Sequence, residues 1–169
     1  MCAATTIDDE ALTAAARVLE ICRRAGTMVA TAESCTGGLV AASLTSVAGS
    51  SSVVDRGFVT YSNDAKTEML GVDRTLIASH GAVSQEVAAA MAEGALDRSR
   101  AGLTISITGV AGPGGGTTEK PVGLVWFGAG RSGFPVTTER FVFSGDRSDI
   151  RSAATLYALQ LLERTAAST

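Results

Sequence analysis

Lys66 is one of only two lysines in a chain that otherwise carries twelve arginines, and that choice has chemical meaning. A lysine can be held neutral near pH 7 and act as a general base, whereas an arginine stays charged. In Tyr61-Ser62-Asn63-Asp64-Ala65-Lys66, an N-cap at Asn63 places Lys66 in the first helical turn, where the positive end of the helix dipole pushes its pKa down. A lysine simply facing solvent is the plain alternative. A nucleophile for such a base stands in Glu33-Ser34-Cys35-Thr36-Gly37-Gly38, between a strand end and a helix start. A hydroxyl presented there lies at a sheet edge with backbone N–H groups following it to hold an oxyanion, and Gly37 and Gly38 let a ligand approach. Helix capping by Ser34 or Thr36 accounts for the same residues equally well.

Two further segments could contact a ligand. A glycine-rich loop, Gly109-Val110-Ala111-Gly112-Pro113-Gly114-Gly115-Gly116, follows a strand ending at Thr108 and could turn backbone amides toward a phosphate or carboxamide. Its spacing is neither a P-loop nor a dinucleotide fingerprint, and a long surface turn fits it as well. Phe143-Ser144-Gly145-Asp146-Arg147 sets an arginine at a helix start, a combination suited to an anion. An ordinary N-cap with a surface arginine competes with that reading, and the local sequence does not rank Arg140, Arg147 and Arg151 as phosphate ligands. Cys35 could be a reactive thiol at a helix start, with Glu33 and Lys66 as partners in a thiol amidase. Cys22 reads as core packing and His80, ahead of Gly81-Ala82, as a turn residue.

Composition removes several other chemistries. With one histidine, a multi-histidine zinc site is excluded and a Ser-His-Asp triad could use only His80. A net charge of −3 with scattered arginines argues against a nucleic-acid partner. Cys2, Cys22 and Cys35 are odd in number and lack CxxC spacing, which fits a reduced, cytoplasmic setting. The acidic N-terminal stretch does not read as a targeting segment, and no apolar run reaches the roughly 20 residues of a membrane span.

The elements that must hold these residues are set by periodicity. Ala11, Leu12, Ala15, Val18, Leu19 and Cys22 recur at helical steps between Asp8 and Ala25, with Gly26 as the stop. Strands are expected at 28–32, 52–61 and 103–107, and a late hairpin at 122–127 and 136–143 through Gly128 to Pro135. Helices are expected at 39–47, after Asn63, from Ser84 to about Arg98, and after Ser144-Gly145 through Leu161. Helices and strands alternate and a hairpin closes the order, which predicts a three-layer α/β/α sandwich with a mixed, mostly parallel sheet, in one domain over residues 1–169. Exposed small-residue helices and the apolar composition favour a homo-oligomer.

Beyond these local signals, the chain resembles the CinA C-terminal domain family, whose enzymatic members are nicotinamide-nucleotide amidohydrolases, or NMN deamidases of the PncC type. The matching segments are TAESCTGG (31–38), AGSS (48–51), RGFVTYSNDAK (56–66), HGAVS (80–84), GVAGPGG (109–115), EKPVGLVW (119–126) and FSGDR (143–147). They span nearly the whole chain in the family's order, and the chain resembles a stand-alone version without the N-terminal domain of the longer members. The resemblance implies hydrolysis of the carboxamide of nicotinamide mononucleotide to nicotinate mononucleotide and ammonia, a pyridine-nucleotide salvage step, with no cofactor or metal. It carries the nucleophile to Ser34 and its catalytic partners to Tyr61 and Lys66. Glu33, Cys35, Thr36, Gly37, Gly38, Asn63, Thr108, Gly109, Gly112, Ser144 and Arg147 are the expected substrate-binding residues. A non-catalytic nucleotide-binding or competence-associated interaction module is the reading from another class, and Lys120 lies in a matched segment without a role.

Overall fold

Asp8 accepts a hydrogen bond from the Ala11 amide and opens helix α1 (Asp9–Ala25), which Gly26 closes in the left-handed region. Six apolar residues from Ala11 to Cys22 form the buried stripe of this helix. The computed structural model describes residues 7–168, so Cys2 and the first part of the N-terminal stretch lie outside the described residues. Strand β1 (Val29–Glu33) is buried at all five positions, as expected of a strand covered on both faces. It is followed by α2 (Leu39–Thr45), β2 (Val54–Val59), α3 (Asn63–Leu70), α4 (Arg74–His80) and α5 (Gln85–Asp97). The chain continues through β3 (Leu103–Gly109), β4 (Leu124–Arg131), β5 (Thr137–Val142) and α6 (Arg147–Ala167).

The strands form one sheet in the order β2-β1-β3-β4-β5. Pairs β1/β2 and β1/β3 are parallel; β3/β4 and β4/β5 are antiparallel. Four of the five strands therefore point the same way although the pairings divide evenly, and the sheet is mixed. Helices α1, α2 and α6 pack together on one face over a core containing Leu19, Leu44, Ile105, Phe127 and Leu159. Helix α5, with α3 and α4 against it, covers the other face over Val72, Val87 and Met91. The three-layer α/β/α class is the one expected.

Two elements depart from the sequence expectation. Strand β4 runs on through Gly128 and Gly130 to Arg131, and the connection to β5 is correspondingly short. The glycines are there because α5 lies close: a Cβ on Gly128 would stand 2.5 Å from the Ala88 carbonyl oxygen. Helix α4 has no counterpart in the expectation, because only Ile77 of its seven residues is buried and no apolar stripe marks it. Helix α6 starts after Ser144-Gly145 as expected, at Arg147 behind an Asp146 N-cap.

Candidate active site

The carboxyl-terminal ends of β1 and β3 lie side by side, and the turn after β1 crosses them. The Ser34 amide donates to the Ile107 carbonyl at 2.9 Å, which extends the sheet by one residue before the chain turns. Glu33, fully buried, organises this turn. Its carboxylate accepts from the Thr36 hydroxyl (2.7 Å) and from the amides of Gly38 (3.0 Å), Val40 (3.1 Å) and Ala41 (2.8 Å). This carboxylate, and neither Ser34 nor Thr36, caps α2, whose N-cap residue Gly38 offers no side chain. An anion satisfying the first amides of a helix is favoured by both hydrogen bonding and the dipole.

With the capping work done by Glu33, the Ser34 hydroxyl accepts a hydrogen bond from Lys66 Nζ at 3.0 Å. Lys66 is only 1% exposed, and its second partner is the Thr60 carbonyl, also at 3.0 Å. Burial pushes the Lys66 pKa down, since the charged ammonium loses its hydration, while the nearby Cys35 works weakly in the opposite direction. A low pKa is what the helix dipole predicts; burial is the larger cause. Lys66 sits on α3, whose N-cap is Ser62 (its hydroxyl accepts from the Ala65 amide) and not Asn63, the first helical residue.

Ser34, Cys35, Tyr61, Asn63, Lys66, Thr108, Gly109 and Arg147 all line one cavity of about 210 Å³. Ala82, Val83 and Ala111 complete it. Sequence reasoning misses these last three because small apolar residues carry no chemical signal, although they lie in the matched HGAVS and GVAGPGG segments. Glu33, Thr36, Gly37, Gly38, Gly112 and Ser144 do not line the cavity; the first four build the turn beneath it.

Tyr61 is 62% exposed, and its hydroxyl accepts from Arg147 Nη2 at 2.9 Å rather than meeting Lys66. Arg147 Nη1 donates to the Gly112 carbonyl at 2.7 Å, so this arginine bridges Tyr61 and the glycine-rich loop. The expected helix-start anion site is modified here. Asp146 caps the Ser148 and Asp149 amides, and Asp149 returns a bond from the Asp146 amide, leaving two carboxylates at the head of α6. Any anion drawn to this corner is drawn by the Arg147 side chain. Arg140 lies over the Trp126 ring, and Arg151 reaches the carbonyls of Cys35 and Thr36, so Arg147 is the one of the three that lines the cavity.

Cys35 is a free, buried thiol whose pKa burial pushes up to about 12. Its thiolate is therefore scarce at neutral pH, which removes the main support for the thiol-amidase reading. His80 ends α4, with Nδ1 3.4 Å from a Glu86 carboxylate oxygen, and lies outside the cavity. Among the described residues there is no cluster of three or more His, Cys, Asp or Glu able to hold a metal ion. No helix among them is long and apolar enough to cross a membrane.

The CinA C-terminal domain matches residues 11–166. The chain belongs to that family. This CinA domain is 50% identical over 155 residues to the nicotinamide-nucleotide amidohydrolase PncC of Escherichia coli, covering 92% of this chain and 94% of the relative. A CinA-like protein of Mycolicibacterium gilvum is 56% identical over 140 residues, which are 83% of this chain and 33% of that longer protein. Among solved structures, the competence/damage inducible protein CihA of Agrobacterium tumefaciens superposes with a TM-score of 0.92 at 46% identity, covering 96% of this chain and 99% of the other. The CinA fold thus matches along nearly its whole length.

Proposed function

We propose that this protein hydrolyses the carboxamide of nicotinamide mononucleotide, releasing ammonia and nicotinate mononucleotide, with Ser34 as nucleophile and Lys66 as its base. One observation carries the mechanism: Lys66 Nζ lies 3.0 Å from Ser34 Oγ in a buried setting that favours the neutral amine. Half identity over 94% of a nicotinamide-nucleotide amidohydrolase supports the substrate.

Neutral Lys66 takes the Ser34 proton as Oγ bonds to the carboxamide carbon, and the carbonyl electron pair moves onto oxygen. Collapse of this tetrahedral oxyanion breaks the C–N bond, and the proton held by Lys66 passes to the departing nitrogen as ammonia. A water molecule, deprotonated in turn by Lys66, attacks the acyl-serine; the C–Oγ bond breaks, Ser34 regains a proton, and the nicotinate carboxylate is freed. The direct Lys66–Ser34 contact makes a relay through the Tyr61 hydroxyl unnecessary for the first step. Tyr61 and Arg147 instead face the substrate from the cavity wall. Arg147, which keeps guanidinium donors beyond the two used for Tyr61 and Gly112, is assigned to the nucleotide phosphate. Each proton transfer runs between side chains, substrate and water.

Ammonia release from nicotinamide mononucleotide tests the reading. Ser34→Ala and Lys66→Arg should each lower kcat by at least about 1,000-fold, with the fold retained. Full activity in the Lys66→Arg protein would defeat the neutral-base mechanism, since a guanidinium cannot accept the proton.

A further inference from the structure

We propose that Arg151 is a positioning residue for the reaction, holding from behind the turn that carries Ser34 and the amide that receives the oxyanion. This rests on Ser34 being the nucleophile. Around the turn, nearly every backbone amide is already committed. Ser34 N–H donates to the Ile107 carbonyl, Gly37 N–H to the Ser34 carbonyl at 3.1 Å, and Leu39 N–H to the Thr36 carbonyl at 3.3 Å. Gly38, Val40 and Ala41 donate to the Glu33 carboxylate. Among the described residues this leaves the amides of Cys35 and Thr36 without an oxygen acceptor. Thr36 is fully buried and lies outside the cavity, whereas Cys35 lines it. The Cys35 N–H, first after the nucleophile and engaged only with its own sulfur, is therefore the donor a developing oxyanion can take over.

The direction of that N–H depends on rigid peptide planes and on what holds their other ends. The Ser34 carbonyl, in the same plane as the Cys35 N–H, is tied by Gly37. The next two carbonyls, of Cys35 and Thr36, accept from Arg151 Nε and Nη2, both at 3.1 Å. Those bonds are the tertiary tie on the turn's carbonyl side, made by a residue more than a hundred positions away. Arg151 follows Ile150 on α6, and Ile150 and Ala154 are buried in the core, so the clamp is anchored to a helix that cannot shift cheaply. Its planar fork meets two successive carbonyl oxygens at once, a geometry that a lysine does not reproduce. Preorganised donors contribute most when they need no reorganisation at the moment charge develops.

The test compares the full chain as wild type, Arg151→Ala and Arg151→Lys. Nicotinamide mononucleotide serves as substrate and a fluorophosphonate as the Ser34 label, its phosphoryl oxygen standing in for the oxyanion. Expected for Arg151→Ala is a kcat about 10- to 100-fold lower with KM within about twofold, the pattern of an interaction that matters in the transition state. The labelling rate should fall in parallel, and Arg151→Lys should recover part of both. An unchanged kcat, or a loss confined to KM, overturns the proposal. Should Arg151→Ala not fold, Arg151→Lys decides: a kcat several-fold lower at unchanged KM supports the assignment, and wild-type kcat overturns it. A wild-type chain that takes no label at Ser34, or a Ser34→Ala chain that keeps its rate, removes the serine nucleophile itself, a result distinguishable from any Arg151 outcome.

Discussion

Asp55 and Lys66 mark opposite ends of the parallel strands β1 and β2, and both side chains are about 1% exposed. Asp55 occupies the register shift at the start of β2, between Val54 and Arg56. It accepts from Arg56 Nε (2.7 Å), the Arg100 amide (3.1 Å), and Arg100 Nε and Nη2 (3.0 and 2.8 Å). Lys66, at the other end, has a serine hydroxyl and a backbone carbonyl. The pKa values of both groups are lowered, with opposite meaning. For Asp55 the Arg100 and Arg56 bonds hold the carboxyl at about 2, so its charge is secured. For Lys66 burial without a carboxylate partner penalises the charge, so its proton is easily given up. A buried charge with matched partners holds the fold together; one with neutral partners costs stability and is available for chemistry.

The strongest way to break this contrast is Lys66→Met. Activity should fall by at least about 1,000-fold, as for any loss of the base, while thermal stability should hold or rise. The sign comes from linkage. Because the native-state pKa of Lys66 lies below its ordinary 10.5, the unfolded chain binds this proton more readily. Wild-type stability therefore decreases as pH falls through the window between the two values and stays penalised below it. Methionine removes that penalty, so the Tm difference between Lys66→Met and wild type should shift in favour of the variant as pH drops. A Tm lowered in step with activity would mean that Lys66 is a structural residue. Orphaning the Thr60 carbonyl and Ser34 hydroxyl offsets part of the gain, which keeps the expected rise to a few degrees.

Asp55→Asn makes the opposite demand. Ammonia release should stay within about twofold, because Asp55 is at the far end of the strands from the cavity. Stability should fall by about 1–2 kcal/mol, a modest figure because Arg56 and Arg100 are themselves partly solvated. For a chain of this length that is roughly 2–8 °C in Tm. The carboxylate's contribution is fully present above its ordinary 3.8 and is lost as pH falls through about 2. Unfolding curves of the two proteins should accordingly converge in strong acid and separate above pH 4.

The contrast also explains which features are legible in the chain alone. Alternating elements, the glycine stop at Gly26 and the Ser84 cap of α5 obey local rules, and the structure has them. Ser34 and Lys66 are legible by residue type and by the segments they share with the CinA family. The features that escape depend on distant partners. Glu33 caps a helix that starts six residues later, outside any standard capping pattern. Arg140, Arg147 and Arg151 look alike in sequence, and only packing separates a ring contact, a cavity wall and a clamp on the turn. The main cause of the Lys66 pKa shift escapes for the same reason, because burial is a tertiary property whereas the helix dipole is local.

Lys120 supplies the sharpest control, since it makes the same bond as Lys66 in a different medium. Its Nζ donates to the His80 carbonyl at the C-terminus of α4, at 2.6 Å and in contact with solvent. Gly81 admits it: a Cβ there would lie 2.7 Å from Nζ, and the residue's φ of +78° favours glycine in any case. The bond ties the segment carrying Lys120 to the α4 end, next to the cavity-wall residues Ala82 and Val83. A solvated cation at a helix C-terminus contributes about 0.5 kcal/mol. Lys120→Met should therefore lower Tm by only about 1–2 °C and leave kcat within about twofold of wild type. If Lys120→Met instead abolished ammonia release, burial would not be what separates the two lysines. If it left KM and kcat both unaltered, as expected, a lysine–carbonyl bond is catalytically silent until the ammonium loses its water.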